Sequence, residues 1–210
     1  MSFYERHILP RFINCACGSS PIMKQREKVV PQAKGVVLEI GIGTGLNLPF
    51  YNPDTVERVI GLDPSQESWE LAAHRVAEVN FDVEFVGLPE GEIPLDDGSV
   101  DTILVTYALC TIPDPVSALQ GMKRVLRPGG ELIFCEHGKA PDANVHKWQN
   151  RLDGIWGKIA GGCHLNRDIP EILVAGGFKV KTQEEMYLPK SPRFASFNYW
   201  GSACPADTAG

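Results

Sequence analysis

The stretch VVLEIGIGTGLN at positions 36–47 constrains the fold of this chain more than any other feature. Val36–Ile40 is a short apolar run with β-branched residues, which predicts a fully buried parallel strand. Gly41, Gly43 and Gly45 follow, so the backbone can turn sharply and a ligand can lie against bare main chain. The next segment can begin a helix whose free N–H groups face that ligand. The stretch therefore predicts a ligand site at the carboxyl end of a strand.

Two acidic residues narrow the class of ligand. Glu39 comes just before the turn, where a carboxylate would repel a pyrophosphate but suit a ligand with a positive amino group. A second predicted strand begins at Val59 and ends in Asp63, which lies 22 positions after Gly41. In nucleoside-binding α/β folds an acid about 20 residues beyond the glycine loop reaches the ribose hydroxyls. The spacing predicts a nucleoside that carries an amino group.

Glu39, the three glycines and Asp63 together resemble the first two motifs of the class I S-adenosylmethionine-dependent methyltransferases. The sequence RVLRPGG at 124–130, followed by an apolar strand, is a further hallmark of that family. The resemblance implies S-adenosylmethionine as the cofactor. A glycine turn without a ligand and an NAD site are the alternatives. The predicted cofactor-binding residues are Glu39, Gly41, Gly43, Gly45, Asn47, Asp63, Pro64, Leu88, Pro89, Glu90, Thr106 and Leu109.

Composition and charge exclude several other classes of protein. The net charge is −6, which argues against general affinity for nucleic acid or anionic lipid, since both need basic patches. The six cysteines do not form a disulfide framework, and Cys15-Ala16-Cys17 lacks C-x-x-C spacing, so we expect reduced thiols and a cytoplasmic protein. No window approaches 18 uncharged apolar residues, and the N-terminus lacks a signal-peptide pattern, so we expect no integral membrane association.

Predicted helices and strands alternate along the 210 residues, which indicates one α/β domain. We expect a Rossmann-like, doubly wound, seven-stranded sheet, mostly parallel, with a C-terminal antiparallel hairpin formed by strands at 178–187 and 194–200. A leader (1–34) precedes a cofactor-binding core (35–137), then acceptor-side helices and the hairpin (138–200), then a flexible tail (201–210). Single helices are predicted over 22–30, 65–80, 117–126 and 146–159, and Arg127–Gly130 is predicted to end the third of these and connect it to the next strand.

The leader is predicted to be helical, with an interruption at Pro10 and a break at 17–21. In its second helix Lys24, Arg26 and Lys28 are expected on the outer face. The leader is either a lid over the site or a helix packed on the sheet. If it is a lid, Tyr4, His7 and Arg26 are the residues that would reach the site.

Three segments indicate the methyl acceptor by resemblance. They are LCTI at 109–112 with Asp114, EH at 136–137 and GGCHLNR at 161–167. This set, within a match over 36–200, looks like the thiol S-methyltransferases and their shorter bacterial relatives, which methylate small thiols and in some members sulfide. The chain lacks the hydrophobic N-terminal anchor of the animal members, so we expect a soluble enzyme and place no weight on lipophilic substrates.

Methyl transfer to a thiol makes modest chemical demands. Positioning supplies most of what the enzyme must add, and a thiol already has an appreciable thiolate fraction at neutral pH. His137, His164 and Arg167 are the catalytic candidates, as cations or proton acceptors near the acceptor. The substrate-binding candidates are Tyr4, His7, Cys110, Asn166 and Trp200. Four aromatic residues either line an apolar acceptor pocket or pack in the core: Trp148, Trp156, Tyr199 and Trp200.

Each of these roles has a simpler alternative. For His137 the alternative is a cap on the loop after its strand, and for Arg167 it is an ion pair with Glu171 on a helix surface. Cys163 is expected to be a packed thiol, because direct transfer needs no covalent enzyme intermediate. His164 beside it gives two ligands, which do not make a metal site, so no metal is predicted.

Other acceptors stay open at this point. N-methylation of a phospholipid head group or a small amine is the second reading, and O-methylation of a quinone or phenol is the third. A cofactor-binding scaffold without activity is the non-enzymatic alternative. The expected partner is a small-molecule acceptor, and the chain is expected to be a monomer or a homodimer.

Overall fold

The computed structural model describes residues 9–88 and 92–206, with side chains from residue 13 onward. The strands are β1 (Gly35–Ile40), β2 (Val56–Asp63), β3 (Asp82–Gly87), β4 (Val100–Thr106), β5 (Leu126–His137), β6 (Phe178–Tyr187) and β7 (Phe197–Pro205). The helices are α1 (Leu9–Cys17), α2 (Ser20–Val29), α3 (Gln66–Glu70), α4 (Ala73–Val76), α5 (Pro115–Val125), α6 (Ala143–Ile159) and α7 (Ile169–Ala175). The predicted site residues Tyr4, His7, Pro89 and Glu90 lie outside the described residues.

The seven strands form one sheet in the order β3-β2-β1-β4-β5-β7-β6. The pairs among β1 to β5 are parallel, and β7 is antiparallel to both β5 and β6. This confirms the predicted fold class, including the C-terminal antiparallel hairpin. The strand order reverses between β1 and β4, and ligands in open α/β sheets bind at the carboxyl ends of the strands at such a point.

Alternate residues of the central strands enter two separate cores, one on each face of the sheet. In β1, Val36, Leu38 and Ile40 pack on the face that α5 and α7 cover. Val37 lies on the opposite face with Val29 of α2. Both faces of the strand are therefore buried, which is why it is apolar without interruption and why helices lie on both sides.

The leader differs from the prediction in two ways. Pro10 does not interrupt α1, because it lies in the first turn, where its missing N–H needs no partner. Helix α2 begins at Ser20, and Arg26 is not on its outer face but only 5% exposed. Its guanidinium finds hydrogen-bond partners at the end of the sheet, and these outweigh the preference of a charge for solvent.

Two further segments depart from expectation. The helix predicted over 65–80 is two short helices, α3 and α4. The residues predicted as a loose tail include Gly201–Pro205, which belong to β7 and pair with β5 on one side and β6 on the other. Residues 207–210 lie outside the described part.

The strands near the hairpin also have shifted ends. Helix α5 ends at Val125, one residue before the predicted end, and Arg127–Gly130 belong to β5, which begins at Leu126, rather than to a connection outside it. β7 begins at Phe197 rather than Phe194. Within the described residues, no helix combines the length and the hydropathy needed to cross a lipid bilayer.

Candidate active site

A cavity of about 530 Å³ opens at the carboxyl ends of β1, β2 and β4, and residues of α1 form part of its wall. Six residues predicted for the cofactor line it: Gly41, Gly43, Asp63, Pro64, Leu88 and Thr106. Four others are not on its surface: Glu39, Gly45, Asn47 and Leu109. From the leader, Ile13, Asn14, Cys17 and Arg26 line it. The cavity therefore lies where the sequence motifs predict a ligand.

The glycine loop and the acid at the end of β2 are held together by direct hydrogen bonds. All three glycines have left-handed φ angles, of +70°, +50° and +73° in chain order, which side chains would strain. The backbone N–H of Gly43 donates to Asp63 Oδ2 (2.9 Å), and that of Ser65 donates to Oδ1 (2.8 Å). Burial raises the pKa of Asp63, and these two N–H groups counter that shift. The two motifs thus form one rigid unit.

Glu39 lies behind the cavity wall and is only 1% exposed. Its carboxylate accepts hydrogen bonds from the amide of Asn47 (2.8 Å) and the hydroxyl of Tyr51 (2.7 Å). Burial raises the pKa of Glu39 to about 7, although both hydrogen bonds favour the charged form. Here the motif acid fixes Asn47 under the glycine loop.

Arg26 lies on the cavity surface and not on the outer face of α2, so the position expected for it under the lid alternative is the one that the structure shows. Its guanidinium Nη1 donates to Asn47 Oδ1 (2.7 Å) and Thr106 Oγ1 (2.6 Å). Its buried Nε has no hydrogen-bond partner, and within the described part of the chain no carboxylate lies within ion-pairing distance of the group. A signal existed in the sequence, because Arg26 shares helical spacing with the buried Val29 of α2 and with Val30, which caps that helix. A buried cation that interacts with Glu39 electrostatically, but pairs directly with no carboxylate among the described residues, therefore lines the cavity.

Glu136, at the end of β5, fixes the backbone that follows β4. Its fully buried carboxylate accepts the N–H groups of Ala108 (2.7 Å), Leu109 (3.0 Å) and Cys110 (3.4 Å). Burial raises its pKa, and these N–H groups oppose the shift. Because the residue is committed to the backbone, it positions the loop and is not available as a base.

The segment 161–167 is docked against that same loop. The N–H of His164 donates to the carbonyl of Cys110 (2.8 Å), and its ring Nδ1 lies 2.8 Å from a carboxylate oxygen of Asp153. Arg167 donates to the carbonyls of Leu109 and Ile112, rather than pairing with a helix neighbour. These two side chains and Asn166 are not on the cavity surface, but Gly161 is. The segment forms one end of the cavity.

His137 and Cys163 lie in direct contact beside this end. His137 Nε2 is 2.9 Å from Cys163 Sγ, and the indole N–H of Trp156 donates to the same sulfur (3.3 Å). A hydrogen bond with Cys110 and burial raise the pKa of Cys163. His137 is therefore in contact with a buried thiol, and its catalytic role stays a prediction.

The remaining predicted residues lie away from the cavity surface. Trp200 packs in the core on the α2 face, where the ammonium of Lys28 lies 4.5 Å from its ring centroid. Tyr199 packs in the opposite core and donates to the carbonyl of Lys139 (2.5 Å), and Trp148 is 56% exposed. Their positions support the packing alternative for Trp200 and Tyr199.

Comparison with known proteins agrees with this geometry. Residues 38–134 match the family model described as a methyltransferase domain. Thiol S-methyltransferase TMT1A from Homo sapiens is 32% identical over 177 residues, which are 82% of this chain and 72% of that protein. Thiol S-methyltransferase TMT1B from Homo sapiens is 37% identical over 139 residues, but the match spans only 56% of that protein.

Other relatives show how far the similarity extends. A phosphatidylethanolamine N-methyltransferase from Cereibacter sphaeroides is 33% identical over 128 residues, 59% of this chain and 62% of that protein. A crystal structure of a SAM-dependent methyltransferase from Aquifex aeolicus aligns with a TM-score of 0.65 and 21% identity, covering 92% of this chain and 97% of that one. At that identity the structure supports the fold alone, and the sequence relatives span more than one acceptor.

Proposed function

Because this chain belongs to the class I S-adenosylmethionine-dependent methyltransferase family, we propose that its site transfers a methyl group to the sulfur of a small thiol or sulfide. S-adenosylmethionine is the methyl donor. The relatives named as thiol S-methyltransferases support the choice of acceptor. The match to TMT1B spans little more than half of that protein, so the choice of acceptor also needs support from this chain's own residues.

The residues of the cavity fit the cofactor. Asp63 offers a carboxylate at the position that receives ribose hydroxyls, and the three glycines leave three positions of the loop without a side chain. Arg26 is a buried cation without a direct carboxylate partner among the described residues, and the carboxylate of the methionine moiety supplies one. When bound, the cofactor supplies a methyl carbon activated by a sulfonium. The chain's task is to hold donor and acceptor in line and to exclude water.

The observation that carries the thiol assignment is the docking of segment 161–167 on the end of the cavity. This segment lies outside the common core, and its sequence carries the resemblance to thiol methyltransferases. Its Gly161 lines the cavity, and its Arg167 and the backbone N–H of His164 are hydrogen bonded to the loop after β4. The most specific part of the sequence therefore contributes to the cavity wall, which supports an acceptor role for this segment.

The charges around the cavity favour sulfur over nitrogen. Among the described residues that line it, Asp63 is the one carboxylate, and it lies at the ribose position. An alkylamine has a pKa near 10, so it would arrive as a cation and need a base. Glu136 is committed to backbone N–H groups, so it is not free to act as that base. A thiol needs only to lose a proton with a pKa near 8.5.

A panel of acceptors tests the proposal. The protein is incubated with S-adenosylmethionine carrying a labelled methyl group and, in parallel, with sulfide, small alkyl thiols, ethanolamine and a phenol. We expect labelled methyl thioethers or methanethiol by mass spectrometry. Turnover of the amine or the phenol with no turnover of any thiol would refute the thiol assignment. Binding of S-adenosylhomocysteine with no transfer to any acceptor would favour a scaffold.

A further inference from the structure

Three side chains of the kind that bind soft metal ions converge beside the acceptor end of the cavity. Cys110 follows β4, His137 ends β5, and Cys163 lies in the loop after α6. Their two sulfurs and the ring nitrogen all lie within 4.8 Å of one another, and the His137–Cys163 contact is 2.9 Å. The three residues are far apart in the chain, so their spacing matches no metal-binding motif.

Hydrogen bonds hold the backbone around these side chains in place before any metal ion binds. The carboxylate of Glu136 holds the N–H of Cys110, and the N–H of His164 donates to the carbonyl of Cys110. Leu165, two residues after Cys163, donates its N–H to Asp153 Oδ1 (2.7 Å). The loop after β4, the end of β5 and the loop after α6 are therefore hydrogen bonded to one another. Folding itself brings the three side chains together, so metal binding pays little additional conformational entropy.

We propose that Cys110, His137 and Cys163 bind one zinc-class divalent ion, with each cysteine releasing its thiol proton to solvent, and leave a fourth position for the acceptor thiol. Two thiolates and an imidazole suit a borderline-soft ion and do not suit Mg²⁺ or Ca²⁺, which take oxygen ligands. Three protein ligands with an open position are the arrangement of catalytic zinc. Bonds of about 2.3 Å to sulfur and 2.0–2.1 Å to nitrogen place tetrahedral ligand atoms ~3.5–3.8 Å apart, so shifts under about 1 Å suffice.

The surroundings of the cluster suit such an ion. The indole N–H of Trp156 already donates to Cys163 Sγ, as donors around metal-bound thiolates do. Arg167 lies near enough to interact electrostatically with both sulfurs. Thr111, next to Cys110, and Gly161, two residues before Cys163, both line the cavity, whereas the three ligand residues do not, so the cluster lies beside the cavity wall and not on it.

This inference rests on the proposed function, and it specifies how the acceptor is prepared. When an acceptor thiol binds the open position, its S–H bond breaks, a metal–sulfur bond forms, and the proton leaves to solvent. The acceptor is then held as a thiolate next to the cavity, the form in which sulfur is a nucleophile. No side chain has to act as a strong base.

Metal content of the full chain tests the site without any activity assay. The protein is stripped with a chelator, kept with a phosphine reductant so that the thiols stay reduced, and dialysed against Zn²⁺. We expect one equivalent per chain by mass spectrometry, and a cobalt-substituted sample with intense thiolate-to-metal absorption. Cys110→Ser and Cys163→Ser should each lower the affinity for Zn²⁺ at least tenfold, whereas Cys204→Ser, a cysteine outside the cluster, should not.

Two further outcomes keep the proposal falsifiable. Zn²⁺ should raise the melting temperature of the parent and of Cys204→Ser but not of folded Cys163→Ser. Zn²⁺ binding that survives both cluster substitutions, or no binding at all, would overturn the site. Cys17→Ser should retain one equivalent, and its loss would overturn the open fourth position.

The metal site and the proposed function can be refuted by different results. Thiol methylation by a protein that binds no metal would overturn only the metal site. One equivalent of Zn²⁺ on the cluster, with methylation of an amine and of no thiol, would overturn only the choice of acceptor.

Discussion

The two ends of the cavity are built in opposite ways. The cofactor end rests on contiguous sequence, where Gly41, Gly43 and Gly45 set the backbone and Asp63 clamps it by one hydrogen bond. The acceptor end is assembled from three distant segments: neighbouring β4 and β5 bring Cys110 and His137 together, and the docking of segment 161–167 adds Cys163. A motif encodes local backbone geometry, whereas a cluster of this kind is encoded by topology.

The two ends of the cavity also differ in which charged partner is absent: an anion at the cofactor end and a cation at the acceptor end. At the cofactor end Arg26 is a buried cation without a carboxylate partner in the described part of the chain. At the acceptor end the sulfurs of Cys110 and Cys163 and the ring nitrogen of His137 are donors grouped without a cation. Changes at one end should therefore leave binding at the other end intact, and each prediction below tests that independence.

The largest expected effect is on the buried cation. Arg26→Met should weaken binding of S-adenosylhomocysteine by about 3 kcal/mol, on the order of a hundredfold, because truncating a buried charged partner costs 2–5 kcal/mol. Binding of 5′-methylthioadenosine, which lacks the amino-acid carboxylate, should hardly change. Calorimetry with both ligands measures the difference. Lys28→Met, on the same helix but away from the cavity, is the control, and equal losses for both ligands would contradict the assigned contact.

Asp63→Ala should weaken both of those ligands, by about 1.5–3 kcal/mol, because both carry the ribose and a charge-assisted hydrogen bond is lost. Calorimetry with the same two ligands measures this, and Asp82→Ala, at an exposed position of β3, is the control. Unchanged affinity would remove Asp63 from the site.

His137→Ala should act on turnover and not on cofactor affinity. A thiol with a pKa of 8.5 is only ~3% ionised at pH 7, so holding it as thiolate is worth up to about 30-fold. The variant should lose about that factor in kcat/KM for thiol at pH 7 and recover much of it at pH 9, where solution thiolate is abundant. The exposed His74→Ala is the control. Unchanged kinetics would make His137 structural.

The smallest effect concerns stability without ligand. The folded-state pKa of Glu39, about 7, lies above its unfolded value, so its contribution to stability is full below about pH 4.5 and is lost as pH rises through 7. Glu39→Gln should flatten that slope, because the amide does not titrate. At pH 8 the variant should be more stable by only about 1 kcal/mol, because removing the buried charge is favourable but the amide cannot accept both existing hydrogen bonds. Urea unfolding at pH 5 and pH 8 checks this, and an unchanged slope would contradict the assigned pKa.

The sequence predicted the sheet and the cofactor end because both depend on short-range patterns. Apolar runs give buried strands, and glycines at alternate positions give a turn. Arg26 was misplaced because a charge was assigned to solvent, although its spacing puts it on the buried face of α2. Gly201–Pro205 was read as a tail because a segment with little β propensity becomes a strand only when neighbours on both sides pair with it.

The acceptor end could be predicted only by resemblance. Cys110 is predicted to bind substrate, and the local alternatives for His137 and Cys163 are a loop cap and a packed thiol. Nothing in their spacing joins the three residues: β5 beside β4 brings Cys110 and His137 together, and the docking of segment 161–167 adds Cys163. The docking of Arg167 on two carbonyls likewise depends on tertiary contacts that no local pattern specifies.

The position of β7 between β5 and β6 determines the order in which the sheet can form. β6 precedes β7 in the chain and reaches the sheet only through β7, so it joins the sheet as part of the β6–β7 hairpin and only when β7 pairs with β5. The local hairpin pair forms over a short sequence separation, whereas the pairing of β7 with β5 is the non-local and slower step. The exposed residues of β6 include Lys179, Lys181, Glu184 and Glu185, and charges along an edge strand discourage pairing with other chains. The charged outer edge of β6 thus protects the hairpin from self-association before and after it joins the sheet.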